Sequence, residues 1–338
     1  MKKTWILVLV GIMVIAFGSS WWLSGDKNSF QQTKDKTDFV LRLGHGSPIS
    51  SMRHELIQQY ADWVYEQTNG RAKIEVFPNE ILGSEKQMTQ LVVDGTLDIT
   101  IVLHGLAADY APKLAAVELP FLFSSMDKVG ALLDGPLGDE LAKDMPAKGL
   151  RLLSYWDNGL RQISNNKLPI EKPEDLKGLK IRTPESKMTL SIFKTLGATP
   201  APLAFNEVYL ALADSRFDGQ ENPVVNIHMM KFNEVQKYLS ITNHKYESNP
   251  MLMNEQAWQK LPPDIQKVLK EGAVKFAVES RRINQEAEGK ALSELEAKGM
   301  KISRPDIGLF RESTKSVYDE WSAALGKELI DKVISAAK

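Results

Sequence analysis

The 338-residue sequence has no cysteine. That excludes a disulfide framework, a thiol nucleophile and any thiolate metal site, and it excludes a lipid-attached cysteine behind an export signal. Charge of one sign is also missing: 42 basic and 43 acidic residues leave a net charge of −1. With no basic excess, nucleic acid is not an expected partner. Histidines number five, and none are paired at metal-ligand spacing. "HELIQ" at His54 opens like a zinc-protease helix, but Gln58 stands where the second histidine belongs. "GHGSP" at Gly44 lacks the lysine and hydroxyl of a phosphate loop and the third glycine of a dinucleotide fingerprint. There is no G-x-S-x-G nucleophile elbow, and no carboxylate pair stands out as an acid/base couple. The chain is therefore expected to be neither an enzyme nor a cofactor carrier.

The N-terminus holds the one long apolar run. Lys2 and Lys3 precede "WILVLVGIMVIAFGSSWWL", Trp5 to Leu23. That is the layout of an export signal, with Gly18, Ser19 and Ser20 as small residues for a cleavage site. It is also just long enough to span a bilayer, and Trp21 and Trp22 suit a membrane interface. Residues 1–25 are thus a signal peptide or a retained membrane anchor, and the body of the protein is expected outside the cytoplasm. Residues 26–38 are polar and aperiodic, a linker.

Downstream the pattern is α/β. "FVLRLGH" alternates as a strand, and "MRHELIQQYADWVYEQTNG" carries an apolar stripe at helical spacing with Gly70 at its end. "AKIEVFP" is a strand, and "QMTQLVVDGTLDITIV" a helix, a turn and a strand. The order predicts a mainly parallel sheet. The same pattern restarts with the strand "GLRLLSYW", Gly149 to Trp156. In "DLKGLKIRTPESKMTLSIFKTLGA" a strand leads into a helix with Pro184 in its first turn and Gly197 at its stop. "NEVYLALADSRFDG" is another helix ending in a turn. This predicts two α/β units meeting near Trp156–Arg161, one from 39–158 plus 248–287 and one from 159–247 plus 288–338. Between Pro262 and Lys298 nothing breaks a helical pattern except Gly272 and Gly289. A continuous helix there would be about 55 Å long and would cross both units.

Several segments, in order, carry a family resemblance: "TNGRAKIEVFPNEILGSEKQM", "LPFLF", "GLRQISN", "PEDLKGLKIRTP", "LGATPAPLAFNEVYLAL", "DGQENP" and "EVQKYLSITNH". From Leu41 to about Gly299 the chain resembles the solute-binding proteins of tripartite ATP-independent periplasmic (TRAP) transporters. The resemblance implies a two-domain clamp like that of periplasmic binding proteins, with a long helix connecting both domains. It also implies a small organic-acid ligand and membrane permease subunits as partners. Carried over residue by residue, it makes Arg182 in "KIRTP" the grip on the ligand carboxylate. Arg161 in "GLRQIS" is its assistant, Asn222 in "GQENP" a further contact, and Phe205 in "PLAFNEVY" a pocket aromatic.

The residues themselves agree. Ligands of open α/β sheets bind beyond the carboxyl ends of strands, where Arg182 falls, and a guanidinium fork binds both carboxylate oxygens as lysine cannot. Against this stands surface exposure, or pairing with Glu185 or Glu221. Three more residues are candidates: Trp156 for stacking, His104 at the end of an apolar strand, and Glu85. Their competing readings are core packing, a satisfied histidine and a solvated helix-face charge. The segment "VLHGL" has Leu103 and Leu106 where sialate-binding members carry a glutamate and an arginine, which argues against a sialate ligand. A four-carbon dicarboxylate is placed first, and a uronate or other sugar acid second. Alternative functions are a module presenting the acid to a receptor kinase, or an extracytoplasmic enzyme acting on it.

Overall fold

The computed structural model describes residues 37–338. The export segment and most of the linker lie outside the described residues. Nine strands form a single sheet: β1 (Phe39–His45), β2 (Ala72–Phe77), β3 (Ile99–Ile101), β4 (Leu150–Asn165), β5 (Lys180–Thr183), β6 (Thr199–Pro202), β7 (Gly219–Pro223), β8 (Tyr238–Asn254) and β9 (Lys301–Ser303). Their spatial order is β2-β1-β3-β8-β4-β7-β5-β6, with β9 beside β8.

The two wings are parallel, β2-β1-β3 on one side and β7-β5-β6 on the other. The centre is not: β4 and β8, of 16 and 17 residues, run antiparallel along their whole length. A mainly parallel sheet is therefore right for the wings and wrong for the middle. The strand expected to stop at Trp156 continues to Asn165. "DNG" at 157–159 has turn chemistry, but tertiary partners absorb its polar groups. Ser280 Oγ accepts from the Asp157 N–H at 2.9 Å, and Tyr246 and Asn284 donate to the Asp157 carboxylate at 2.7 and 2.9 Å. Gly159, at φ +114°, takes up a register shift there.

The helix 52–67 starts on Ser51, whose side chain accepts from the His54 N–H, and packs Leu56, Ile57, Tyr60 and Val64 into the core. The segment Pro263–Ala297 is one helix of 35 residues. Neither glycine breaks it. Gly272 is where it touches the helix 52–67: a Cβ there would lie 2.5 Å from the Trp63 ring. The helix after β5 runs from Lys187 to Thr195, capped by Ser186, so Pro184 precedes the cap instead of occupying the first turn. Competition for the cap decides this, because the Ser186 side chain accepts the Thr189 N–H. The last helix, Lys327–Ala337, packs Ile330, Val333 and Ala337 against the segment 112–133, and Lys332 pairs with Glu140 at 2.5 Å.

Candidate ligand-binding site

The strands β4, β7 and β5 lie side by side and deliver three polar residues to one edge. Arg161 faces Pro223, Asn222 faces Gln162, and Arg182 faces Gln220 across the ladders. Arg161, Asn222 and Arg182, with Arg53, Glu85 and Phe205, line a cavity of about 340 Å³, the open solvent at its mouth included. A second cavity of about 300 Å³ shares Glu85, Leu103, Arg182 and Phe205 with it and adds Glu80 and Glu185. Five of the seven residues singled out in the sequence thus face one space.

Arg182 is 1% exposed. Its Nε and Nη2 both donate to the Leu203 carbonyl, at 3.0 and 2.5 Å. No carboxylate among the described residues pairs with it, and burial lowers its pKa to about 10 against a partial rise from Glu221. A guanidinium has five N–H donors, so the Nη1/Nη2 end remains for a bidentate acceptor.

Arg161 is equally buried, but four of its five N–H donors are taken. It donates to both the carboxylate and the carbonyl of Glu221, the latter at 2.6 Å, and to the carboxylate of Glu247. Burial pushes the Glu221 carboxyl up, and Arg161 and His244 overcome this to hold it at about 2. Lys245 continues the network, bonding to Glu118 at 2.5 Å, Thr189 at 2.7 Å and Glu247 at 3.3 Å. Behind the cavity, then, the carboxylates of Glu118, Glu221 and Glu247 share two bonded cations, Arg161 and Lys245, and none of them is bonded to Arg182.

Asn222 donates to Gln220 at 2.5 Å. Phe205, half-buried, opens a short turn and meets Phe232 edge-on at 6.5 Å. Glu85 begins the helix 85–93, and its carboxylate accepts from the Leu103 N–H at 3.0 Å. Burial, then the nearby Glu80, raises its pKa to about 8.

Trp156 and His104 are not in the cavity wall. Trp156 is fully buried and packs edge-on against Tyr60 at 6.4 Å. Both ring nitrogens of His104 are occupied, by Ser248 Oγ at 2.7 Å and the Leu114 carbonyl at 2.9 Å, and burial lowers its pKa. Trp156 lies on a packed side of β4, and His104, expected at a strand end, instead opens the helix 104–108 and is buried there.

Among the wall residues not singled out in the sequence are Arg53, Asn158, Asn226 and Asn249. Arg53 lies in the first turn of an amphipathic helix, where an arginine reads as solvated. Asn158 and Asn249, in "DNG" and "SNP", read as turn residues. Asn158 Oδ1 receives Arg53 at 2.8 Å and Asn226 at 3.0 Å, joining the two sides of the cavity at the β4 bulge. Other ties cross nearby. Glu80, at φ +55°, accepts from the Asn206 N–H at 3.3 Å, Ser186 Oγ donates to Glu118 at 3.1 Å, and Lys187 pairs with Asp109 at 2.6 Å. Among the described residues no cluster of three or more His, Asp or Glu is placed to hold a metal.

The site thus combines a sheet with parallel wings, a cavity at its strand ends and a buried arginine with no carboxylate partner among the described residues. The model of the bacterial extracellular solute-binding protein family 7, the DctP family, matches residues 43–324. The chain belongs to the TRAP solute-binding proteins. This TRAP protein is 34% identical over 262 residues to the 2,3-diketo-L-gulonate-binding periplasmic protein YiaO of Escherichia coli strain K12, covering 78% of this chain and 80% of that one. It is 38% identical over 282 residues to the uncharacterized protein y4mM of Sinorhizobium fredii strain NGR234, 83% of this chain but only 52% of that longer one. A crystal structure of a TRAP periplasmic solute-binding protein of Polaromonas sp. JS666 bound to D-erythronate superposes with a TM-score of 0.84 at 33% identity, over 88% of this chain and 98% of that one. The two-domain α/β clamp is the fold of this TRAP family. Its members are periplasmic solute-binding proteins rather than enzymes.

Proposed function

We propose that this protein captures a small organic acid outside the cytoplasm and delivers it to a TRAP membrane permease, with Arg182 as the carboxylate anchor. One observation carries the reading: a fully buried guanidinium whose only partner among the described residues is a backbone carbonyl. A buried cation without a counter-charge is costly, and a bound carboxylate removes that cost. Asn222 and Phe205 complete the grip, one by hydrogen bonding and one by apolar contact. Arg161 works from behind, fixed by Glu221 and Glu247.

In this reading residues 39–158 with 248–287 form one lobe, and 159–247 with 288–338 the other. The lobes close about the register shift at Asp157–Gly159.

The favoured ligand is a hydroxylated monocarboxylate of the sugar-acid class, which reverses the order drawn from the sequence. The pocket wall also carries Glu80 and Glu85, both with raised pKa: burial is the first cause in each, with Glu207 adding to it at Glu80 and Glu80 adding to it at Glu85. A second ligand carboxylate placed beside these two carboxyls would raise their pKa further and would meet repulsion from either of them when ionised, and hydroxyls would not. The ligands named for the YiaO and Polaromonas relatives, a diketo sugar acid and a four-carbon aldonate, support the same class.

Calorimetry of the purified protein against erythronate, galactonate, galacturonate, succinate and malate tests this. One-site binding strongest for a sugar acid is expected. Tighter binding of succinate than of every hydroxylated acid would overturn the ligand class, and no binding of any acid would overturn the function.

A further inference from the structure

Asn249 is 1% exposed on β8, lines the larger cavity, and its side-chain oxygen has no hydrogen-bond partner among the described residues. Leaving such a group dry costs free energy comparable to a lost hydrogen bond. Arg53 lines the same cavity. It is held by Asn158 at 2.8 Å, the Asp157 carbonyl at 3.2 Å and Ser47 at 3.3 Å, through Nη1 and Nη2 only. Its Nε–H and one Nη1–H are unused, and no carboxylate among the described residues pairs with it. Burial lowers its pKa, with Glu85 and Asp157 acting the other way.

We propose that Arg53 and Asn249 form a second polar subsite that reads a hydroxyl or keto oxygen on the ligand's carbon chain. The proposal rests on the carboxylate reading of Arg182 and deepens it. A hydroxyl is both donor and acceptor. Arg53 supplies donors only, and the Asn249 amide supplies an acceptor or a donor whichever way it is turned. Together they satisfy a hydroxyl completely. An unsubstituted acid of the same length leaves both groups unpaired, and a site built around a ligand oxygen rejects the analogue that lacks it. The subsite sits on elements different from that of Arg182. Arg53 belongs to the helix 52–67, Asn249 to β8 and Arg182 to β5. It therefore senses the chain of the acid and not the carboxyl.

Paired ligands test this: erythronate against butyrate, and galactonate against hexanoate, titrated calorimetrically into wild type, Asn249→Leu and Arg53→Gln. The leucine is close in size to asparagine and removes only the polar end. Wild type is expected to favour each hydroxylated acid by at least tenfold. Each variant is expected to lose about 10- to 100-fold for the hydroxylated acid and far less for its deoxy partner, so that the preference collapses. Unfolding midpoints accompany each titration; if Asn249→Leu fails to fold, Arg53→Gln carries the same comparison. Equal losses for both members of a pair, or an unchanged preference, would overturn the subsite while leaving the carboxylate anchor standing. A wild type that binds no acid would overturn both.

Discussion

Arg161 and Arg182 wall the same cavity at about 1% exposure each, yet only Arg161 is bonded to carboxylates. Two identical side chains on strands either side of β7 therefore have opposite duties. One is neutralised inside the fold, and the other keeps its charge for something outside it.

Replacement of Arg182 by lysine is expected to weaken acid binding by about 100-fold or more, with the unfolding midpoint little changed. The charge remains, but the bidentate fork is gone, and partners of a buried charge pair are worth roughly 2–5 kcal/mol. Calorimetry beside thermal unfolding checks it. Affinity within a factor of three of wild type would exclude Arg182 as the anchor.

Arg161→Met is expected to behave in the contrary way, as a stability mutant. It removes the cation of Glu221 and one of the two on Glu247, and breaking a buried pair from one side costs about 3–5 kcal/mol. Urea unfolding at pH 7 measures the loss. A variant as stable as wild type would show that the network contributes nothing net.

Acid should dismantle the same network. The Glu221 carboxyl sits at about 2 in the folded protein against an ordinary 4.5. Its depressed value contributes stability that is complete above pH 4.5 and is lost as pH falls toward 2. The deficit of Glu221→Gln relative to wild type is therefore expected to shrink between pH 4.5 and 2, as followed by unfolding in urea across that range.

Glu85 has the opposite sign. With a folded value of about 8, it keeps a proton that the unfolded chain gives up above pH 4.5, so stability declines as pH rises from 4.5 to 8. Glu85→Gln is expected to flatten that slope and to be more stable than wild type at pH 8. Parallel slopes for the two proteins would show that Glu85 titrates normally.

Gly105 is a close-approach position between the helix 104–108 and the turn after β5. A Cβ on it would lie 2.5 Å from the Ser186 Cβ and 2.9 Å from its Cα, closer than real contacts allow. Gly105→Ala is expected to push these segments apart and to weaken ligand binding by about tenfold, since such crowding costs roughly 1–3 kcal/mol. Unaltered affinity would show that the approach is not needed for binding.

The sequence alone determined the elements and much of the wall. Local periodicity and caps located the helix 52–67, the uninterrupted helix 263–297 and the strand that ends at Arg182. They are legible because each depends on residues a few positions apart. The ordered segments placed Arg182, Arg161, Asn222, Phe205 and Glu85, and all five face the cavity. Tertiary structure decided the rest. "DNG" became the middle of a long strand only because Ser280, Tyr246 and Asn284, up to 127 residues away, satisfy Asp157. Side-chain polarity does not reveal which face of β4 or β8 is packed, so Trp156 turned inward while Asn249 met the cavity, and His104 turned inward because Ser248 and the Leu114 carbonyl, 144 and 10 residues away, occupy its ring nitrogens. The difference between the two arginines was decided the same way. Charge is a property of the residue, but whether a carboxylate stands opposite it depends on Glu221 and Glu247, brought in from strands 60 and 86 residues along the chain.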